Sequence, residues 1–184
     1  MTVPGDPSWS GGHGDVPVSA AIDRFLGSAD LPPTPFVVID TDVVVERYRS
    51  LAAALPDVEL YYAVKANPDA AVITRLAAEG CGFDVASTGE IERCRSVGVQ
   101  PDRISFGNTI KKFEAIREAR AWGISDFAVD APEELEKVRS AAPHSTVAIR
   151  LLCNPPGASW PLSGKFGCAP DAAVRLGIEA DRAG

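Results

Sequence analysis

The run Tyr61-Tyr62-Ala63-Val64-Lys65-Ala66-Asn67-Pro68 sets one lysine at the end of a short apolar segment. An ε-amine becomes a nucleophile when burial or a neighbouring charge lowers its pKa, and enzymes that use pyridoxal phosphate commonly hold it on a lysine as a Schiff base. The plain alternative is a strand-end lysine reaching into solvent. Other polar side chains stand at the ends of similar apolar runs. They are Asp84 in Gly82-Phe83-Asp84-Val85-Ala86-Ser87, Asn108 in Phe106-Gly107-Asn108, Asp130, and Arg150 in Ile149-Arg150-Leu151. Two carboxylates and a guanidinium around one amine would let a carboxylate hold the ammonium and the arginine neutralise a phosphate or another carboxylate.

That chemistry requires the runs to lie side by side. Val58, Leu60, Tyr62 and Val64 alternate with Glu59, Tyr61 and Ala63, which predicts a strand ended by Asn67-Pro68 with Lys65 on its C-terminal lip. Further strands centre near Phe83, Ile104, Phe127 and Val147. Helical stretches follow the first four strands: Asp69 to Glu79, Thr88 to Val97, Lys111 to Trp122 and Pro132 to Ala141. Gly80, Gly98 and Gly123 fall where helix C-terminal caps belong, and Asp69, Ser87, Thr109 and Asp130 where N-caps belong. Asp130 with Glu133 reads as a capping box ahead of Pro132, and Ser87 with Glu90 has the same spacing.

Alternating βα units imply a parallel sheet. The short repeat, and the lack of a Gly-rich phosphate fingerprint after the first strand, favour an α/β fold of the TIM-type (β/α)8 barrel over a doubly wound sheet. In such a barrel the strand ends form one rim, where active sites sit. A whole barrel takes roughly 250 residues, so 184 residues are expected to hold about five βα units, with an inner face short of partners for its apolar side chains. The expected organisation is a Gly/Pro/Ser-rich leader over 1–17 and a partial barrel over 58–184. Between them, 18–57 is read as a helix from Ser19 to Leu26, a strand over Phe36–Asp40 and a helix from Asp42 to Leu55.

These residues carry a family resemblance. Tyr62–Asn67, Gly82–Ser87 with Gly89–Glu92, Pro101–Lys112, Asp130–Val138 and Trp160–Gly167 resemble, in order and spacing, the fold type III pyridoxal-phosphate decarboxylases over about residues 34 to 170. The resemblance implies that Lys65 carries pyridoxal 5'-phosphate and that Asp84 and Glu90 receive its ammonium when substrate displaces it. It also implies that Arg150 is an active-site arginine and that Lys165 pairs across a homodimer interface. The short span from Arg150 to Lys165, with Trp160-Pro161-Leu162-Ser163, is similar to the ornithine/lysine branch. Arginine and diaminopimelate decarboxylases, and a non-catalytic homologue acting as a binding protein, are the alternatives. The family's ring-stacking histidine, phosphate loop, pyridine-nitrogen contact and partner-donated cysteine and aspartate are expected beyond residue 184. By that reading the chain is the N-terminal half of an enzyme and inactive alone.

Bulk properties agree with a small-molecule enzyme. The 46% hydrophobic content suffices for a core, and a net charge of -7 with no basic run argues against nucleic acid or an anionic membrane as partner. No secretory signal and no spanning segment is read, which predicts a cytoplasmic protein. Cys81, Cys94, Cys153 and Cys168 are widely spaced, and His13 and His144 stand alone, which suggests neither a metal site nor a disulfide framework.

Overall fold

The computed structural model describes residues 19–153 and 165–183. The 1–17 leader and Trp160–Ser163 lie outside the described residues. The chain divides into one unit up to Val43 and another from Val44.

In the first unit α1 (Ala20–Leu26) starts at Ser19, whose hydroxyl oxygen accepts the Ile22 N–H at 3.2 Å. The strand expected over Phe36–Asp40 does not form: the segment joins no ladder among the described residues, and Val37 is 86% exposed. Alternating hydrophobicity makes a strand only where a neighbour takes up its amides and carbonyls. The Asp40 carboxylate instead accepts the Asp42 N–H at 2.9 Å, at the start of α2 (Thr41–Ala54).

The second unit is built on five strands, β1 (Tyr61–Ala63), β2 (Gly82–Val85), β3 (Ile104–Phe106), β4 (Asp126–Val129) and β5 (Thr146–Ile149). They pair in parallel in the order of the sequence. Helices α3 (Ala70–Ala78), α4 (Thr88–Ser96), α5 (Phe113–Trp122) and α6 (Pro132–Ala141) follow the first four strands. A helix not foreseen from the sequence, α7 (Pro170–Ala183), follows β5, with Leu176 buried and Gly177 against the Ile149 side chain. Among the described residues the strand order never reverses, so the sheet shows none of the switch points at which doubly wound folds bind ligands.

Strand register separates the two faces. Val85, Phe106, Phe127 and Val147 form one row, and Phe83 and Ile104 lie on the same side. These residues pack with Ile73, Leu76, Ile91, Ile116 and Val138 of the helices as one core. The opposite face carries Ala63, Asp84, Ser105, Asp126 and Thr146 in one row. This corrects the expectation of an apolar inner face: the apolar burial is on the helix side, and the other side is small or hydrophilic.

Helix ends follow local chemistry. Asp69 accepts the Ala71 N–H at 2.8 Å and Ser87 the Glu90 N–H at 3.3 Å, as N-caps do. Gly80, Gly98 and Gly123 have φ of 84°, 83° and 116°, the left-handed conformation that glycine adopts without strain. Thr109 and Asp130 are not caps. Lys112 and Ala131 occupy those positions, because α5 begins only at Phe113 and Pro132 fixes the first residue of α6.

Candidate active site

β1 ends at Ala63 and the chain turns through a single 3₁₀ turn, Val64–Ala66. Val64 is fully buried and anchors the turn, which leaves Lys65 exposed at the C-terminal edge of the sheet. The Tyr62 hydroxyl donates to the Asn67 carbonyl at 3.2 Å, and the Asn67 side chain accepts the Asp69 N–H at 3.0 Å. The lysine therefore projects from a turn braced on both sides.

Asp84 sits on the next strand, opposite Ala63. Burial pushes its carboxyl above the usual range, while the Lys65 ammonium, the Gly107 backbone N–H and the Arg150 guanidinium pull it down and Glu90 adds to the rise. Lys65, Asp84, Glu90 and Arg150 thus share one electrostatic neighbourhood, formed by the ends of β1, β2 and β5 and the first turn of α4. Gly107 makes room for the carboxylate, since a Cβ there would lie 1.9 Å from Asp84 Oδ1.

Glu90 also caps its helix. Its Oε2 accepts the Ala86 N–H at 2.8 Å while Ser87 Oγ accepts the Glu90 N–H, a reciprocal capping arrangement that fixes where the carboxylate stands. The Arg150 guanidinium lies 5.0 Å from the centre of the Phe166 ring, and the Arg150 carbonyl accepts the Cys168 N–H at 3.0 Å. The 165–168 segment is thereby docked beside the rim, with Lys165 exposed.

Two of the rim residues do other work. Asn108 Nδ2 donates to the Ile110 carbonyl at 2.8 Å and the Ala86 carbonyl at 3.4 Å, latching the end of β3 to that of β2. Asp130 Oδ2 accepts the Gly167 N–H at 2.8 Å and so holds the segment that carries Lys165 and Phe166. Two buried charges at the rim escaped the sequence reading. Lys111 and Glu134 are 4% and 6% exposed, and nothing in Asn108-Thr109-Ile110-Lys111-Lys112 distinguishes the buried lysine from its exposed neighbour. Asp126 is the second acid on the hydrophilic face; its Oδ1 is buried without a hydrogen-bond partner, and burial raises its pKa against a hydrogen bond from Ser105.

An amine flanked by acids and an arginine at one edge of a parallel sheet is the arrangement the resemblance called for. A sequence profile for the pyridoxal-dependent decarboxylases, pyridoxal binding domain, matches residues 41–183. The chain belongs to that family. The lysine/ornithine decarboxylase of Selenomonas ruminantium is 34% identical over 152 residues, 83% of this chain and 39% of the relative. The ornithine decarboxylase of Caenorhabditis elegans is 37% identical over 135 residues, 73% of this chain and 32% of the relative. Among solved structures, the lysine/ornithine decarboxylase of Vibrio vulnificus complexed with putrescine has a TM-score of 0.78 at 36% identity, covering 90% of this chain and 44% of that one.

The sheet of this pyridoxal-binding domain is therefore the TIM-type barrel sheet, with five βα units among the described residues. The chain spans about a third of the length of the curated relatives it matches, 33%, 39% and 32% for three of them. The donor set fits pyridoxal phosphate: an exposed primary amine for a carbonyl carbon, a carboxylate facing that amine, and a guanidinium for an anionic oxygen. No described helix is long and apolar enough to cross a membrane.

Proposed function

We propose that the protein carrying this chain decarboxylates a basic amino acid, ornithine or lysine, to its diamine with pyridoxal 5'-phosphate as cofactor. The observation that carries the reading is the gathering of Lys65, Asp84, Glu90 and Arg150 in one electrostatic neighbourhood at the C-terminal edge of the sheet. When bound, the cofactor supplies the electron sink for the pair released as carbon dioxide leaves.

The chain's own residues have separable tasks in this reading. Lys65 Nζ is the amine that would hold the cofactor's carbonyl carbon. Asp84 faces that amine, and its carboxylate balances the ammonium whenever Lys65 stands free. Glu90 adds a second negative charge from a position fixed by its cap. Arg150, held over Phe166, offers its guanidinium to an anionic oxygen, phosphate or substrate carboxylate. The preference for ornithine or lysine is supported by the relatives' names, since Trp160–Ser163 lies outside the described residues. The same reading makes the enzyme a cytoplasmic homodimer with Lys165 at the subunit contact; that lysine's exposure and the free state of all four cysteines support it.

Borohydride reduction of the full-length protein followed by peptide mapping tests the cofactor assignment. The phosphopyridoxyl mass is expected on Lys65, and label on a different lysine would refute it. Carbon dioxide release from ornithine, lysine, arginine and diaminopimelate, each as sole substrate, tests the substrate class. Preference for either of the last two would move the protein to another branch, and binding without release would make it a non-catalytic relative.

A further inference from the structure

Lys111 lies in the connection between β3 and α5, and its side chain is fully buried. Nζ donates to the Asn108 carbonyl at 2.8 Å and to the Ala128 carbonyl on β4, with Glu134 Oε2 of α6 at 3.9 Å. The Phe106 ring covers it, 5.8 Å from ring centre to nitrogen. The residue's backbone is held as well. Its N–H donates to Glu134 Oε2 at 3.2 Å, and its carbonyl accepts from Lys137 Nζ at 2.7 Å, while Lys137 also pairs with Glu134.

Closing a strand-to-helix connection does not require a charge; an apolar side chain would fill the same space without a desolvation cost. Burial pushes the Lys111 amine down to about 8, with Lys137 adding to the fall, so Glu134 and Asp130 do not offset the burial in full. What an ammonium adds is direction. It fixes the Asn108 carbonyl against the end of β4, and with it the Gly107–Asn108 turn.

That turn leads to the reactive lysine's partner. The Gly107 N–H donates to the Val85 carbonyl at 3.0 Å, and its Cα faces the space taken by the Asp84 carboxylate. Asn108 Nδ2 reaches Ala86, whose N–H holds Glu90. We propose that Lys111 is a positioning residue: its buried ammonium sets the Gly107–Asn108 turn, which in turn sets where the Asp84 carboxylate stands relative to Lys65. The inference rests on reading Lys65 and Asp84 as the working pair.

The test uses the full-length protein after removal of its cofactor, with Lys65 reactivity toward trace acetic anhydride followed by peptide mass spectrometry between pH 6 and 10. Glu90 and Arg150 are the charged groups around the Lys65–Asp84 pair, and Glu134, Lys137 and Asp130 those around Lys111. Asp84→Asn removes an attraction that favours the ammonium, so Lys65 should acetylate faster at pH 7. Lys111→Met should change the rate in the same direction by about threefold or more. Gly107→Ala, which displaces the carboxylate directly, should do likewise. A folded Lys111→Met protein with lower thermal stability but parental Lys65 labelling makes Lys111 a structural anchor only and overturns the proposal. Should that variant fail to fold, Lys111→Gln, which keeps an N–H donor without the charge, takes its place, and parental labelling in it overturns the proposal equally. If Asp84→Asn itself leaves Lys65 unchanged, the error lies in the Lys65–Asp84 pairing.

Discussion

Burying a charged amine leaves a mark on stability that can be measured without substrate. In the folded chain Lys111 loses its proton near pH 8, against 10.5 for the ordinary side chain. Between those values the unfolded chain binds more protons than the folded one, so unfolding free energy rises with pH across the window, and below it the burial cost is carried in full. Tyr48, Tyr61, Tyr62, Cys81 and Cys94, all shifted upward mainly by burial, act in the opposite sense. The informative quantity is therefore the difference between parent and Lys111→Met. From pH 8 to 10.5 the parent should gain on the variant by up to about 3 kcal/mol in denaturant unfolding. A constant difference would mean that the amine is solvated in the folded state.

The elements owe their boundaries to interactions among near neighbours, and most of these boundaries were legible. The βα rhythm, the glycines at 80, 98 and 123, and the caps at Asp69 and Ser87 depend on residues within about four positions of one another, so a linear reading finds them. Ser87→Ala removes the acceptor for the Glu90 N–H and should destabilise the domain by about 1 kcal/mol. It should also release Glu90 from its fixed place, so activity should fall more than stability alone explains; equal activity in the folded variant would limit Glu90 to capping. What the sequence hid involves distant partners. The Phe36–Asp40 strand failed because its pattern says nothing of a neighbour, and Asp130 proved to hold Gly167, 37 residues away. The places of Lys65, Asp84, Glu90 and Arg150 near strand or helix ends were legible, whereas Lys111 became visible only once its two carbonyl acceptors and Glu134 were in place.

At the scale of the whole chain, β1 and the Thr146–Ile149 stretch of β5 each have one side without a strand partner among the described residues, although Leu151 just beyond β5 bridges Cys168 in parallel. Thr146 and Arg150 donate back to Ser125 and Val129, so the alternating amides of Val147 and Ile149 face away from β4, on the unpaired flank of β5. The core, however, lies between sheet and helices and runs as one cluster across all five strands. Residues 1–184 expressed alone should therefore retain helical circular dichroism while associating through strand edges as concentration rises, without turnover. Sedimentation velocity over a hundredfold concentration range checks this. A monomer throughout would mean that the flank of β5 is protected.

Because every strand pairs with the one before it in sequence, the sheet can grow in the direction of synthesis. Each new unit has only to find its predecessor, and such short loops close quickly. The strand that leads into Lys65 emerges first from the ribosome and the strand that bears Asp84 second, and the two are in register by Ala63 and Asp84. The amine and its counter-charge can thus meet when roughly the first half of this chain has been made. Arg150, four strands on, arrives last, so the order of translation is also the order in which the site acquires its charges.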